Sequence, residues 1–380
     1  MARTKIVVTD YIEQDLEWER KQLEGRGVDL EAHQLKFAPL PEVIEKVKDA
    51  DMIIVNMAPM NRQVIGALER CRLIVRHGVG YDNVDIQAAT ERGIKVGYVP
   101  DYCVEEVAEQ AVLLILGCAR KFFLSRRILE ESSRAGIWDF TDIYPIFSLR
   151  GKNLGIVGCG RIGSRVLKKV SGFEMNALVC DPYLPEERKR ELGIEAVEFE
   201  RVLGEADIIT LHVPLNDETR HMMGERELRM MKGTAYLVNT SRGGVVDTEA
   251  LTKALREGWI AGAGIDVYEK EPPPADSEVF RLERATLTPH IAWYSEDAVW
   301  SIREKIMEDI ERFLDGRQPR FLINKELGED KGERRSRVRD RRSGADRRSG
   351  IDRRGGVDRR SGAPERRIGS PGRRAEDKRG

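Results

Sequence analysis

Apolar residues along this chain fall into short runs separated by amphipathic stretches. The first runs are "KIVVTD" (5–10), "ADMIIVNMA" (50–58), "LIVRHGVG" (73–80) and "IKVGYVP" (94–100). Strands of that length alternating with helical patterns predict a parallel sheet covered by helices. Val104, Val107, Ala108, Ala111, Ile115 and Cys118 then recur at three- and four-residue spacing, which predicts a helix with Asp101 as a candidate cap. A second series follows: "LGIV", "ALVC", "ADIITLHV", "AYLV", "AGIDVY" and "ATLTP". Six short strands with helical or turn segments between them predict a doubly wound nucleotide-binding domain. The last helix, roughly Ser295 to Leu314, is expected to return to the first sheet and make the first domain discontinuous.

Composition adds a division that the pattern does not show. The formal charge of −1 in 380 residues hides a segment, 329–380, with 19 Lys/Arg against 10 Asp/Glu, so the rest carries 45 against 55. That segment repeats every six residues at Asp340, Asp346, Asp352 and Asp358, each followed by two arginines. With almost no apolar residues it cannot offset the entropy of ordering, so it reads as a disordered basic tail, either solvated or attached to a polyanion. The N-terminus has no signal-peptide apolar segment and no run of 18 apolar residues occurs. The chain therefore reads as cytosolic. Five cysteines without C-x-x-C spacing read as reduced thiols, with no metal site expected.

The candidate chemistry lies at strand ends. Gly158, Gly160 and Gly163 form G-x-G-x-x-G between a strand and a helix, the arrangement that lets backbone and helix N-terminus meet a pyrophosphate. Asp181 ends the next strand, where a carboxylate accepts from ribose hydroxyls and repels a 2′-phosphate, so NAD is expected over NADP. Arg242, Glu271 and His290 each follow a later strand. A base, its carboxylate partner and a guanidinium suit oxidation of a 2-hydroxy acid, although each alone has a plainer reading as a core or surface residue. Trp293 is either a wall of the cleft or packing beneath the crossing between domains. His33 and His221, in polar segments, are expected to be exposed.

The ordered set "GCGRIG", "LHVPLNDETR", "LVNTSRGGVVD", "AGAGIDVYEKEPP" and "TPHIAWYSE" resembles the D-isomer-specific 2-hydroxyacid dehydrogenases over nearly all of residues 5–325. "VRHGVGYDNVD" and the residues around Trp293 are most similar to the C-terminal-binding-protein-like branch. The resemblance implies an α/β, two-domain fold with a Rossmann-type NAD-binding domain (102–291) inserted in a discontinuous flavodoxin-like substrate domain (1–101 and 292–325), followed by the tail (326–380). It implies Arg242, Glu271 and His290 as the catalytic set. It places Gly158, Gly160, Arg161, Ile162, Gly163, Asp181, His212, Val213, Pro214, Thr219, Thr240, Ser241, Arg242, Asp266 and His290 around NAD. Arg76, Gly78, Val79, Gly80, Arg242 and Trp293 would face the substrate, Arg76 having a buried structural ion pair as its alternative. The implied activity is hydride transfer between NAD(H) and a small D-2-hydroxy or 2-keto acid, with 3-phosphoglycerate, hydroxypyruvate or glyoxylate as alternative substrates. Helix and arm at 126–140 would support a homodimer. The alternative function is an NAD(H)-sensing, corepressor-like interaction protein.

Overall fold

The structure, a computed structural model, describes residues 3–328. The expected disorder of the basic tail and its polyanion contact lie outside the described residues. Two all-parallel sheets make up the body. The first contains β1 (Thr4–Val8), β2 (Val28–Ala32), β3 (Met52–Val55), β4 (Leu73–Arg76) and β5 (Lys95–Tyr98), in the order β2-β1-β3-β4-β5. That is the flavodoxin-like order, and β3 and β4 are buried along their whole length, as a sheet covered on both faces requires. Sequence reasoning missed β2. Its only signal is the alternation of Val28, Leu30 and Ala32 with Asp29 and Glu31, which is what an edge strand with one buried face shows.

The second sheet contains β6 (Asn153–Val157), β7 (Asn176–Cys180), β8 (Ile208–Leu211), β9 (Tyr236–Asn239), β10 (Gly262–Ile265) and β11 (Ala285–Leu287). Its order is β11-β10-β9-β8-β6-β7. A single parallel bridge, Val179 to Ala196, lies beside β7 and is the remnant of one more strand. With it the sheet has the Rossmann order, and the switch point between β6 and β8 opens the nucleotide crevice. The predicted class is borne out.

The helix Val104–Ala119 starts with Cys103 at its cap position and no side-chain cap. Asp101 instead pairs with Lys305 at 3.1 Å, which corrects the expected cap. The helix Glu296–Leu314 packs Ile302, Ile306, Met307 and Ile310 against Ile6, Val8, Leu73 and Val75 of the first sheet. The chain then straps the outer edge of β5: Ile323 donates to Val96, and Asn324 accepts from Val96 and donates to Ile94. This covers backbone groups an edge strand would leave unpaired. A 3-10 turn at Lys325–Leu327 continues past the boundary expected at 325/326. All five cysteines are free. His221 is exposed as expected, whereas His33 is half-buried. Among the described residues no helix is long and apolar enough to cross a membrane.

Candidate active site

The glycine loop follows directly from β6. Gly158 has φ 85°, and a Cβ there would sit 2.8 Å from the His212 carbonyl at the end of β8. Only glycine fits both demands. Gly163 lies against the Gly158 carbonyl, while the space beside Gly160, the cap of helix Arg161–Val170, is open. The helix N-terminus is thus open to an anion at Gly160. Asp181 turns back to this loop: Oδ2 accepts from the Cys159 amide at 2.8 Å and Oδ1 from the Tyr183 amide at 3.0 Å. Each oxygen keeps a lone pair for a ribose hydroxyl.

Other residues expected at the cofactor divide into liners and builders. His212 hydrogen-bonds through Nε2 to Thr210 at 3.0 Å, and its buried Nδ1 has no partner. Burial pushes this imidazole down to about 4, so it is neutral at physiological pH. Val213 and Pro214 follow it along the crevice. Thr219 shapes the same loop, donating to the Pro214 carbonyl at 2.6 Å. Thr240 is buried with an unpartnered hydroxyl. Ser241 is tied to Asn239 through both its amide and its hydroxyl, and Asn239 also donates to the Arg242 carbonyl. Sequence reasoning missed Asn239; its only mark is its place at the end of β9.

Asp266, also expected at the cofactor, directly follows β10. It is fully buried. Its carboxylate accepts from the Thr288 hydroxyl at 2.5 Å and from the Ile291 and Ala292 amides at 3.1 and 3.0 Å, and its carbonyl accepts from the His290 amide. These bonds hold the loop that carries His290, whose backbone sits in the left-handed region at φ 55°. A histidine in that conformation needs such support.

Glu271 and His290 meet across this loop: His290 Nδ1 lies 2.7 Å from Glu271 Oε2, and Glu271 Oε1 accepts from the Tyr268 amide. Burial alone would raise the Glu271 carboxyl, but the hydrogen bond from His290 and its charge lower it. Nε2 is left as the nitrogen available to a substrate. Arg242 crosses to the first sheet, where Nε donates to Asp82 at 2.9 Å and the guanidinium lies where a Cβ on Gly80 would be. Arg76 lies in the same way against Gly78. Its donors reach Asn83, the His77 carbonyl and Met57 sulfur, and among the described residues no carboxylate pairs with it. The alternative of a buried structural ion pair therefore falls. Burial, and then the charge of Arg242, push the Arg76 guanidinium down to about 10.

Val79, Ile162 and Trp293, from three separate motifs, pack on one cluster with Cys103, Val107, Ala292 and Ala298. Trp293 donates from Nε1 to the His290 carbonyl at 2.9 Å. Residues beyond the carboxyl ends of both sheets thus meet: Arg242 reaches Asp82 and Gly80, and Ile162 and Trp293 pack with Val79.

The pattern for the NAD binding domain of the D-isomer specific 2-hydroxyacid dehydrogenases matches residues 112–292. A glyoxylate reductase from Korarchaeum cryptofilum is 42% identical over 290 residues, covering 75% of this chain and 86% of the relative. This chain belongs to the D-isomer-specific 2-hydroxyacid dehydrogenase family. Among solved structures, a glyoxylate reductase from Paecilomyes thermophila superimposes with a TM-score of 0.75 at 28% identity, over 86% of this chain and all of that one. A D-lactate dehydrogenase from Aquifex aeolicus, solved with NAD and lactic acid, gives 0.73 at 29% identity over 82% of this chain and 96% of its own. The family member described here is an NAD-dependent oxidoreductase of D-2-hydroxy acids. The open space at Gly160 and the carboxylate of Asp181 fit the pyrophosphate and ribose of that cofactor.

Proposed function

We propose that this dehydrogenase reduces a small 2-keto acid, glyoxylate foremost, with His290 as the proton donor. The reading is carried by one observation, the 2.7 Å pair between His290 and Glu271 beside a guanidinium laid on Gly80. Gly160 and Asp181 would hold the NADH, whose nicotinamide would supply a hydride for the carbonyl carbon. His290 Nε2 gives its proton to the carbonyl oxygen as charge develops there, and Glu271 steadies the charged imidazole before transfer. Arg242 and Arg76, with the backbone of Gly78, Val79 and Gly80 between them, hold the carboxylate and aim the carbonyl at His290. In oxidation the same nitrogen takes the hydroxyl proton. Trp293, next to Val79, forms the apolar wall that limits the side chain.

Partners and place follow from the same features. The homodimer we propose uses the helix Phe122–Arg134, whose Phe122 and Phe123 are exposed, and the arm after it, where Phe147 is exposed and Trp138 keeps 80% of its surface accessible. Exposed large apolar side chains of this kind are what an interface buries. Reduced thiols support a cytoplasmic enzyme, and the positive segment 329–380 supports a salt-sensitive tether to a polyanion. The activity is tested by NADH consumption against glyoxylate, hydroxypyruvate, phosphohydroxypyruvate and a thioether keto acid. Turnover with glyoxylate is expected; no turnover with any of the four would overturn the reading.

A further inference from the structure

One carboxylate in the cleft has no part in the proton transfer. Asp82 lies two residues beyond Gly80, and its Oδ1 accepts from Arg242 Nε at 2.9 Å across 160 positions of sequence. The Asp82 side chain is 44% exposed and that of Arg242 24%, so the bond lies on the wall of the cleft rather than in the core. Taken by Nε, the guanidinium is held side-on. Nη1 donates to the Ser241 carbonyl at 2.9 Å, and Nη2 stays over Gly80. Arg76 flanks the other end of the loop and has only neutral hydrogen-bond acceptors. Of the other nearby acids, Asp10 is buried with both oxygens on the Met57 and Ala58 amides, and Glu271 has its oxygens on His290 and the Tyr268 amide. Two guanidiniums and one accessible carboxylate therefore face Gly78–Gly80. A single substrate carboxylate completes that set, whereas a second one would add a like charge beside Asp82.

We propose that Asp82 is a positioning and specificity-determining residue that keeps Arg242 in register with the Gly78–Gly80 loop and confines the enzyme to 2-keto acids bearing one negative charge. This rests on the 2-keto acid reduction proposed above and adds the charge class of the substrate. The test compares glyoxylate with ketomalonate, a 2-keto dicarboxylate, at saturating NADH. Wild type prefers glyoxylate. In Asp82→Asn the ketomalonate-to-glyoxylate ratio of kcat/KM rises on the order of tenfold, the factor for one pK unit of charge interaction. KM for glyoxylate rises as Arg242 loosens, NADH affinity and thermal midpoint stay put, and Asp82→Glu restores the wild-type ratio. A second measurement needs no variant: added salt narrows the wild-type preference by screening Asp82. An unchanged ratio in folded Asp82→Asn, or a wild-type preference indifferent to salt, overturns the proposal while leaving the functional reading intact. Failure of wild type to reduce either acid overturns both.

Discussion

At the end of β4, His77 Nε2 lies 3.0 Å from Glu13 Oε1; beyond β11, His290 Nδ1 lies 2.7 Å from Glu271 Oε2. The two pairs share chemistry and differ in access. Side chains of the first are 9% and 3% exposed, those of the second 30% and 22%. They also differ in which nitrogen the carboxylate takes. In His77 the outer nitrogen is used up by Glu13, which anchors the substrate loop to the turn after β1. In His290 the inner nitrogen is held and the outer one is free for a ligand. An imidazole–carboxylate pair can thus serve as a staple or, in the function proposed above, as a proton relay, according to where it leaves an open nitrogen.

The comparison breaks most sharply at His290. His290→Ala is expected to lower kcat by roughly 10²–10⁴-fold, the usual contribution of a positioned acid or base, with NADH affinity unchanged by fluorescence titration. Wild-type turnover in that variant would put both pairs in the structural class. Glu13→Gln is the mirror experiment. Burial would raise the Glu13 carboxyl, but the hydrogen bond and charge of His77 outweigh it and bring it down to about 2. Its folded value is below the unfolded one, so its stabilisation is complete above about pH 4.5 and is lost as pH falls towards 2. Breaking this buried pair should cost about 3–5 kcal/mol of stability, read by calorimetry at neutral pH, with the shape of the pH–rate profile retained. A profile shifted as much as the melting curve would make His77 part of the chemistry.

Smaller effects sharpen what surrounds the active pair. Trp293→Ala should raise KM for a bulky apolar keto acid by about 1–3 kcal/mol and for glyoxylate much less, the discrimination an apolar pocket wall supplies. A lower melting temperature with the substrate ranking intact would assign the ring to packing alone. Asp181→Ala should narrow the NADH-over-NADPH preference by about tenfold, the equivalent of one charge-assisted hydrogen bond. Equal use of both cofactors by the wild-type enzyme would contradict the role of Asp181.

What could be read from the sequence follows from what is local. Ten of the eleven strands among the described residues are marked by apolar runs, and the glycine loop, Asp181, Arg242, Glu271 and His290 each follow a strand, where their type is informative. The edge strand Val28–Ala32 escaped because three apolar residues in alternation are a weak signal. Asn239, Asp82 and Glu13 escaped for another reason. Each works through a partner far away in sequence or through a loop whose path only the fold defines, so residue type alone does not distinguish them from ordinary polar positions. The finer likeness of "VRHGVGYDNVD" to the corepressor-like branch goes beyond the family assignment that the relatives support. "GYDNVD" instead acquires a physical reading: Asp82 reaches Arg242, Asn83 staples Asn56, Ala58 and Arg76, and Asp85 caps the helix Ile86–Glu91.

The central claim, that Glu271 makes His290 a proton donor, is tested most directly by the pH–rate profile of NADH-dependent glyoxylate reduction in wild type and Glu271→Gln. Glu271 is held below its ordinary range, so in wild type it is ionised throughout the neutral region with Oε2 on His290 Nδ1. Without that carboxylate the profile should fall by roughly 10²–10⁴-fold across the neutral region, the usual contribution of a positioned acid. Superimposed profiles in the two enzymes would contradict the account.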